Sequence, residues 1–415
     1  MLEPLSFLTK DQCFAASEQY GTPLYIYSHD RIVKACQEVL AFPAAYGLTA
    51  RYALKANPLA AFLKIVDQTG IHFDASSEYE ALRCLKLGIA PEKIQLTAQQ
   101  LPTRFKELFG DGQMRYNACS LHQLRQFGEM FPGREISVRI NPGLGSGSNR
   151  KTNVGGPSSS FGIWHEEIPQ IKEIASLYNL KITRIHTHIG SGSDPKVWKD
   201  VAKVTLNWAI TFEDVDTVNL GGGFKVARMS HEKSTCLQDS GEAIKNEFIE
   251  IFNQTGRQLK LEIEPGTYIA ANSGTLLCSV DDKISTGKDG FNFLKLNTGM
   301  DAITRPALYA SQHPLVTIPR KATQEIEEYV VSGHCCESGD VLTISSDDTL
   351  EPRSMTKAEI GDLIAIEGVG AYCSSMSLRN YNSFPANNEL LLKNNNFKLI
   401  RRAETLDEML MREIM

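Results

Sequence analysis

The chain has 415 residues, 42% of them hydrophobic and 22% charged, with a formal net charge of -6. That length exceeds what a single core usually supports and predicts about two domains of an ordinary soluble globule. The acidic balance excludes a basic footprint for nucleic acid or an anionic membrane, which leaves small-molecule chemistry.

The first residues, Met1-Leu2-Glu3-Pro4-Leu5-Ser6-Phe7, carry no basic region followed by an apolar run, and no apolar stretch of about 18 residues occurs. A cytoplasmic protein without a membrane partner is expected. Nine cysteines, scattered apart from Cys335-Cys336, read as reduced core residues rather than a disulfide framework.

Leu24–Tyr27 reads as a short strand and Asp30–Leu40 as a helix. A strand–helix rhythm then begins. Candidate strands lie at Arg51–Lys55, Ile71–Ala75, Lys93–Thr97, Met114–Ala118, Glu135–Asn141, Lys181–Ile189, Val215–Leu220 and Leu261–Glu264. Helix-length segments separate them, at Leu59–Thr69, Glu78–Leu87, Ser120–Met130, Ile168–Tyr178, Trp198–Ile210 and Ala243–Thr255. Eight strands over about 215 residues match a parallel (β/α)8 barrel of the TIM type, with a doubly wound open sheet as the alternative.

Period-2 alternation sends Leu54, Phe73, Val138, Ile140, Leu261 and Ile263 toward the helices. It sends Lys55, Asp74, Arg139, Asn141, His186, His188, Asn219 and Glu264 inward, as a barrel active site requires. Lys55 then sits on a strand among small alanines with no carboxylate next to it in sequence. Such a lysine is desolvated and loses its proton readily, which makes its amine a nucleophile for carbonyl chemistry. The Gly- and Ser-rich stretch Pro142–Gly162 has the length of a lid or substrate loop.

Past about residue 273 the rhythm becomes strand-rich: Thr275–Val280, Phe291–Asn297, Tyr329–Ser332, Val341–Ser345, Asp362–Gly368 and Glu389–Lys393, closed by a helix near Thr405–Ile414. The expected organisation is therefore an α/β barrel over residues 26–273. An all-β barrel or sandwich follows over 274–415, together with residues 1–25.

Several short motifs carry chemistry. Leu220-Gly221-Gly222-Gly223-Phe224 removes three β-carbons where a barrel binds phosphate. Glu264-Pro265-Gly266 aims a carboxylate inward, either at a cationic ring nitrogen or at a salt bridge with Arg139. His186-Thr187-His188 places two imidazoles on one face without a matching third ligand, so stacking on a planar cofactor is expected and no metal. Arg305-Pro306-Ala307-Leu308-Tyr309 pairs a guanidinium with a phenol, suited to a substrate carboxylate. Cys336-Glu337-Ser338-Gly339-Asp340 pairs a thiol with an acid, and Gly370-Ala371-Tyr372 adds a phenol.

Taken together with Tyr52-Ala53-Leu54-Lys55-Ala56-Asn57 and His188-Ile189-Gly190-Ser191, these motifs resemble, in order, those of the diaminopimelate decarboxylases. These belong to the alanine-racemase-like class of pyridoxal-phosphate decarboxylases. The resemblance runs from about residue 20 to 395 and implies pyridoxal 5'-phosphate as cofactor. Lys55 would hold the cofactor through its amine, His188 would stack on the ring, and Glu264 would keep the ring nitrogen protonated. Ser191, Gly222, Gly223 and Tyr372 would bind the phosphate, with Asp74, Pro265, Gly266 and Thr267 lining the cofactor. Arg305 and Tyr309 would hold the substrate's far carboxylate. Cys336, as proton donor, and Glu337, at the distal amino group, would reach in from the other subunit of a homodimer.

The resemblance implies meso-diaminopimelate as substrate, with L-lysine and carbon dioxide as products. The alternatives are another amino acid (ornithine, lysine, a carboxy-polyamine or a carrier-bound glutamyl group), a racemase, or a non-catalytic binding relative. Three departures bear on distal specificity. Thr267 stands where the family carries arginine after Glu-Pro-Gly, Gly192 stands where glutamine is usual, and Phe384 stands where arginine is common.

Overall fold

Short segments of β-branched and aromatic residues become eight parallel strands. They are β1 Leu48–Ala53, β2 His72–Ala75, β3 Ile94–Leu96, β4 Arg115–Ala118, β5 Glu135–Asn141, β6 Lys181–His186, β7 Thr217–Asn219 and β8 Lys260–Ile263. Each pairs with the next, and β8 returns to β1 with Leu261 opposite Leu48 and Ile263 opposite Ala50. The sheet is therefore a closed barrel and not an open doubly wound sheet. The computed structural model describes residues 2–145, 155–188, 190, 192 and 194–414. The barrel belongs to a unit made of Val33–Val226 and Lys233–Ile269.

Helices follow the strands at Ala60–Gln68, Glu78–Lys86, Leu121–Met130, Ile168–Leu177, Pro195–Ala209 and Leu237–Thr255. Their starts are chemically marked. Ser77, Ser120 and Asp194 accept hydrogen bonds from the backbone N–H of Glu80, Gln123 and Lys196. A further helix, Phe105–Phe109, was too short to show periodicity and is held by packing of Phe105 and Phe109 on Tyr116.

Register builds the barrel interior in levels. Ala53 lies opposite Asp74 and Asp74 opposite Gln95, so these share one inward level. Two residues earlier on β1, Arg51 points inward one level nearer the strand starts. There it meets Glu262, with Arg51 Nη2 at 2.9 Å and Nε at 3.3 Å, and with Arg115 and Arg184 each at 3.5 Å. Arg51 and Glu262 are fully buried. Three guanidiniums on one carboxylate thus form a charged floor, which strand alternation alone did not single out.

Two expectations about β1 and β6 are corrected. β1 ends at Ala53, and Leu54–Ala56 form a 3-10 turn, so Lys55 is exposed rather than buried on a strand face. β6 ends at His186, so His188 follows the strand and is only half-buried. The expectation for Pro142–Gly162 falls partly on residues 146–154, outside the described residues.

The second unit comprises Met1–Ile32, Ala227–Glu232 and Ala270–Met415. Its centre is the 12-residue strand Gly274–Ser285, antiparallel to Leu24–Ser28, Leu363–Glu367 and Asn292–Leu296. Leu24–Ser28 also pairs in parallel with Asn388–Lys393. Its core gathers Ile26, Leu277, Leu363 and Leu390, with Leu8 and Cys13 from around the N-terminal helix Lys10–Tyr20. Val341–Ser345, expected as a strand, makes only isolated bridges from Val341 to Ser332 and from Ile344 to Leu350. The terminal helix is shorter than expected, Leu406–Leu410. All nine cysteines are free thiols, seven of them buried.

Candidate active site

At the C-terminal end of the barrel strands a network of buried polar side chains runs between two carboxyl groups. Thr97 Oγ donates to Asp74 Oδ1 at 2.7 Å, and Asn219 Nδ2 donates to Glu264 Oε1 at 2.7 Å. Gln95 Nε2 lies between them, 3.4 Å from Asp74 Oδ1 and 3.1 Å from Glu264 Oε1. Ser137 donates to the Asn117 carbonyl, so the Asn117 amide nitrogen faces Thr97 at 3.2 Å and His186 Nδ1 at 2.6 Å. That arrangement assigns the hydrogen of neutral His186 to Nε2, which lies 3.4 Å from Glu264 Oε2 without hydrogen-bonding to it. Glu264 therefore accepts from the amides of Gln95 and Asn219 with the His186 ring beside it, and the alternative of a salt bridge with Arg139 is not realised.

Burial, and next the Asp74 carboxyl, push Glu264 up to about 8, against the pull of the Asn219 hydrogen bond and the charges of Arg139 and Lys55. Asp74 is also raised by burial, against the pull of Thr97 and Lys55. His186 and His188 lie well below the ordinary imidazole value, chiefly by burial and then by Arg139. Both are neutral at physiological pH. The Lys55 charge acts on Asp74, Glu264, His186 and His188 together, which places its ammonium at the same mouth.

The glycine run packs against this network. A β-carbon on Gly221, whose φ is +71°, would stand 2.8 Å from the His188 ring, and one on Gly222 would stand 2.2 Å from the Glu264 carbonyl oxygen. Only glycine fits either place. Pro265 accepts from Ala53 N–H at 3.4 Å and ties β8 to β1. Gly266 is buried, and Thr267 opens the short helix Thr267–Ala270. Gly192 N–H donates to the Gly223 carbonyl at 3.0 Å, so at this departure the backbone makes the contact. Ser191 lies outside the described residues.

These residues suit pyridoxal phosphate. Two buried carboxyls, one raising the other's pKa, would be relieved by a cationic ring nitrogen, glycines open backbone to a phosphate, and Lys55 offers an accessible amine.

The β unit carries the remaining candidates. Arg305 starts the helix Arg305–Tyr309, with its guanidinium carbon 5.8 Å from the Tyr309 ring centre and Nη2 on Ser311 Oγ at 3.2 Å. Tyr372 holds φ of +57° just after Gly370, whose own β-carbon would overlap the Ala270 carbonyl. Cys336 and Glu337 are exposed on a loop knitted by buried Asp340. Its carboxylate takes Met300 N–H at 2.7 Å and Cys335 N–H at 2.8 Å, in a space where Gly299 and Gly333 admit no side chain. Cys336 N–H donates to Asn382 Oδ1 at 2.8 Å. Glu337 is held low, first by Gly339 N–H and then by Tyr381 and Ser338 hydroxyls. Burial instead lifts the Cys335 thiol to about 12. Phe384 stacks on His334 with ring centres 3.6 Å apart, which gives that departure a packing role.

Reasoning from sequence missed Gln95, Thr97 and Asn117, the amide and hydroxyl bridge between the carboxyls. The inward positions of Gln95 on β3 and Asn117 on β4, and of Thr97 just past the end of β3, were the available signal.

Residues 30–271 match the family model of the pyridoxal-dependent decarboxylases, pyridoxal binding domain. The diaminopimelate decarboxylase of Escherichia coli K12 is 31% identical over 418 residues, covering 98% of this chain and 97% of that protein. That of Streptomyces coelicolor is 32% identical over 410 residues, covering 96% and 91%. A crystal structure of diaminopimelate decarboxylase superposes with a TM-score of 0.91 at 31% identity, covering 98% and 97%. The Helicobacter pylori diaminopimelate decarboxylase complexed with L-lysine gives 0.84 at 28%, covering 96% and 98%. With the barrel, the glycine run and the paired carboxyls in place, the chain belongs to the diaminopimelate decarboxylase family of pyridoxal-dependent enzymes.

Proposed function

We propose that this chain converts meso-diaminopimelate to L-lysine and carbon dioxide. The observation that carries the substrate is similarity over 98% of the chain to proteins named diaminopimelate decarboxylase. Retained Arg305 and Tyr309 support a substrate with a second carboxylate.

Lys55 would hold the cofactor and yield its place to the substrate's amine. Neutral His188 would stack on the ring, and Glu264 would hold a proton for the ring nitrogen with Asp74 beside it. Gly222, Gly223, Pro265, Gly266, Thr267, Tyr372 and Ser191 would enclose the phosphate end. Bound pyridoxal phosphate supplies an electron sink for the pair released from the breaking bond to the carboxylate. Cys336 Sγ would return a proton to the substrate carbon, and ionised Glu337 would attract the distal ammonium. We assign this loop to the neighbouring subunit's site in a cytoplasmic homodimer. Among the described residues no helix is long and apolar enough to cross a membrane.

A second reading, decarboxylation of another amino acid, draws on Thr267 and Phe384, which remove charge relative to the family. Incubating the cofactor-loaded protein with meso-diaminopimelate, ornithine, lysine and a carboxy-polyamine decides between them. The proposal expects carbon dioxide and lysine in equal amounts from the first. Release from another member of the panel, and none from diaminopimelate, would sink it.

A further inference from the structure

Within the β unit, cationic groups collect around one strand end. Arg228 lays its stem across Gly368, where φ is +68° and a β-carbon would stand 2.9 Å from Arg228 Cγ. Its Nε donates to the Gly368 carbonyl at 2.9 Å. One residue earlier, the Glu367 carbonyl accepts from His313 Nδ1 at 2.9 Å. Arg228 and His313 are thus anchored on consecutive carbonyls at the end of the strand Leu363–Glu367. Arg353 Nη1 donates to the His313 carbonyl at 2.6 Å, and Arg305 reaches the same segment through Ser311.

The anchors leave donors over. Arg228 Nη2, Arg305 Nε and Arg353 Nη2 are buried with no hydrogen-bond partner among the described residues, and His313 Nε2 is an equally unpartnered acceptor. His313 spends its one hydrogen on the Glu367 carbonyl, so it is neutral and adds no charge of its own. Burial, and next the Arg305 charge, pull Arg228 down to about 9, so the two guanidiniums oppose one another. The carboxylate acting on Arg228, Glu232, is engaged by the Arg228 and Met229 backbone N–H groups, at 2.8 Å and 3.1 Å. Tyr372 and Cys373 act on Arg228 as well. Opposed, buried guanidiniums with unspent N–H groups are costly unless an anion joins them.

We propose that Arg228 is a specificity-determining residue, a second guanidinium that joins Arg305 in taking the far carboxylate of a dicarboxylic amino-acid substrate. This deepens the proposed function and rests on it. The competing role is a structural clamp on the Gly368 carbonyl, which would be felt in stability and not in substrate choice.

The test uses cofactor-loaded wild type, Arg228→Gln and Arg228→Lys. Pimelate, a dicarboxylate without amines, serves as a probe that needs no turnover. Arg228→Gln should raise both KM for meso-diaminopimelate and the dissociation constant of pimelate by about tenfold or more, as expected for one charged hydrogen bond. The loss should fall on KM more than on kcat, with Arg228→Lys intermediate and cofactor content unchanged. A lower melting temperature with both constants unmoved would overturn the proposal in favour of the clamp. Loss of cofactor in step with loss of binding would overturn it in favour of a phosphate contact. If wild type releases no carbon dioxide from diaminopimelate, the functional reading fails. Pimelate binding that depends on Arg228 would still establish the carboxylate site.

Discussion

Asp74 and Glu264 share one donor, Gln95 Nε2, 3.4 Å from the first carboxyl and 3.1 Å from the second. Against the pull of that donor, burial raises both acids, and the Asp74 carboxyl raises Glu264 further, so Glu264 holds a proton that a free carboxyl would have lost.

The consequence is a pH dependence with a definite sign. Glu264 is raised from 4.5 to about 8, so the folded protein without cofactor keeps a proton that the unfolded chain releases. Stability is then full at low pH and falls as pH rises from about 4.5 to 8, by up to about 1.4 kcal/mol per pH unit for this group. Asp74 acts in the same direction. Thermal melts of the cofactor-free protein across this range should show the decline, and Glu264→Gln should flatten it. Equal slopes for the two proteins would contradict the assignment.

Gly222→Ala places a methyl group 2.2 Å from the Glu264 carbonyl oxygen, against backbone that cannot swing aside. The expected cost is about 1–3 kcal/mol of stability from overpacking. Cofactor affinity should fall with it, because the run and the carboxylate strand must part. Denaturant melts and a spectroscopic cofactor titration check both effects.

The barrel floor gives a prediction about stability alone. Glu262→Ala leaves fully buried Arg51 without its anion, with half-buried Arg115 and Arg184 beside it, a loss of about 3–5 kcal/mol for the broken buried pair. The absorption spectrum of the cofactor-loaded fraction should stay as in wild type, since this layer lies below the one that holds Asp74.

Shared sites in a homodimer make a sharper claim. Mixing inactive Lys55→Ala and Cys336→Ala chains and allowing exchange should restore about a quarter of wild-type activity, because one site in each mixed dimer draws both intact residues. No recovery despite demonstrated exchange would place Cys336 and Lys55 of one site on the same chain.

All eight barrel strands and six of the helices were legible in the sequence, because apolar alternation and the helix-length segments between strands are local signals. Where local signals stop, so did the reading. Lys55 follows a strand that ends at Ala53, and no pattern announces that a backbone turns one residue before its functional side chain. Arg228 and His313 are far apart in sequence and meet only because consecutive carbonyls at the end of Leu363–Glu367 anchor both. The motif residues Glu264, Gly221 and Gly222 were found by type. Their partners Gln95, Asn117 and Thr97 are ordinary amides and a hydroxyl, informative only once the barrel closes.

The central claim is that the barrel is built around Lys55 as the lysine that holds the cofactor. Loading the protein with pyridoxal phosphate, reducing it with borohydride and mapping the modified peptide by mass spectrometry tests this directly. The account predicts a single pyridoxyl group on Lys55 and no visible absorption band in Lys55→Ala. A modification on another lysine, or an unchanged band in the variant, would contradict it.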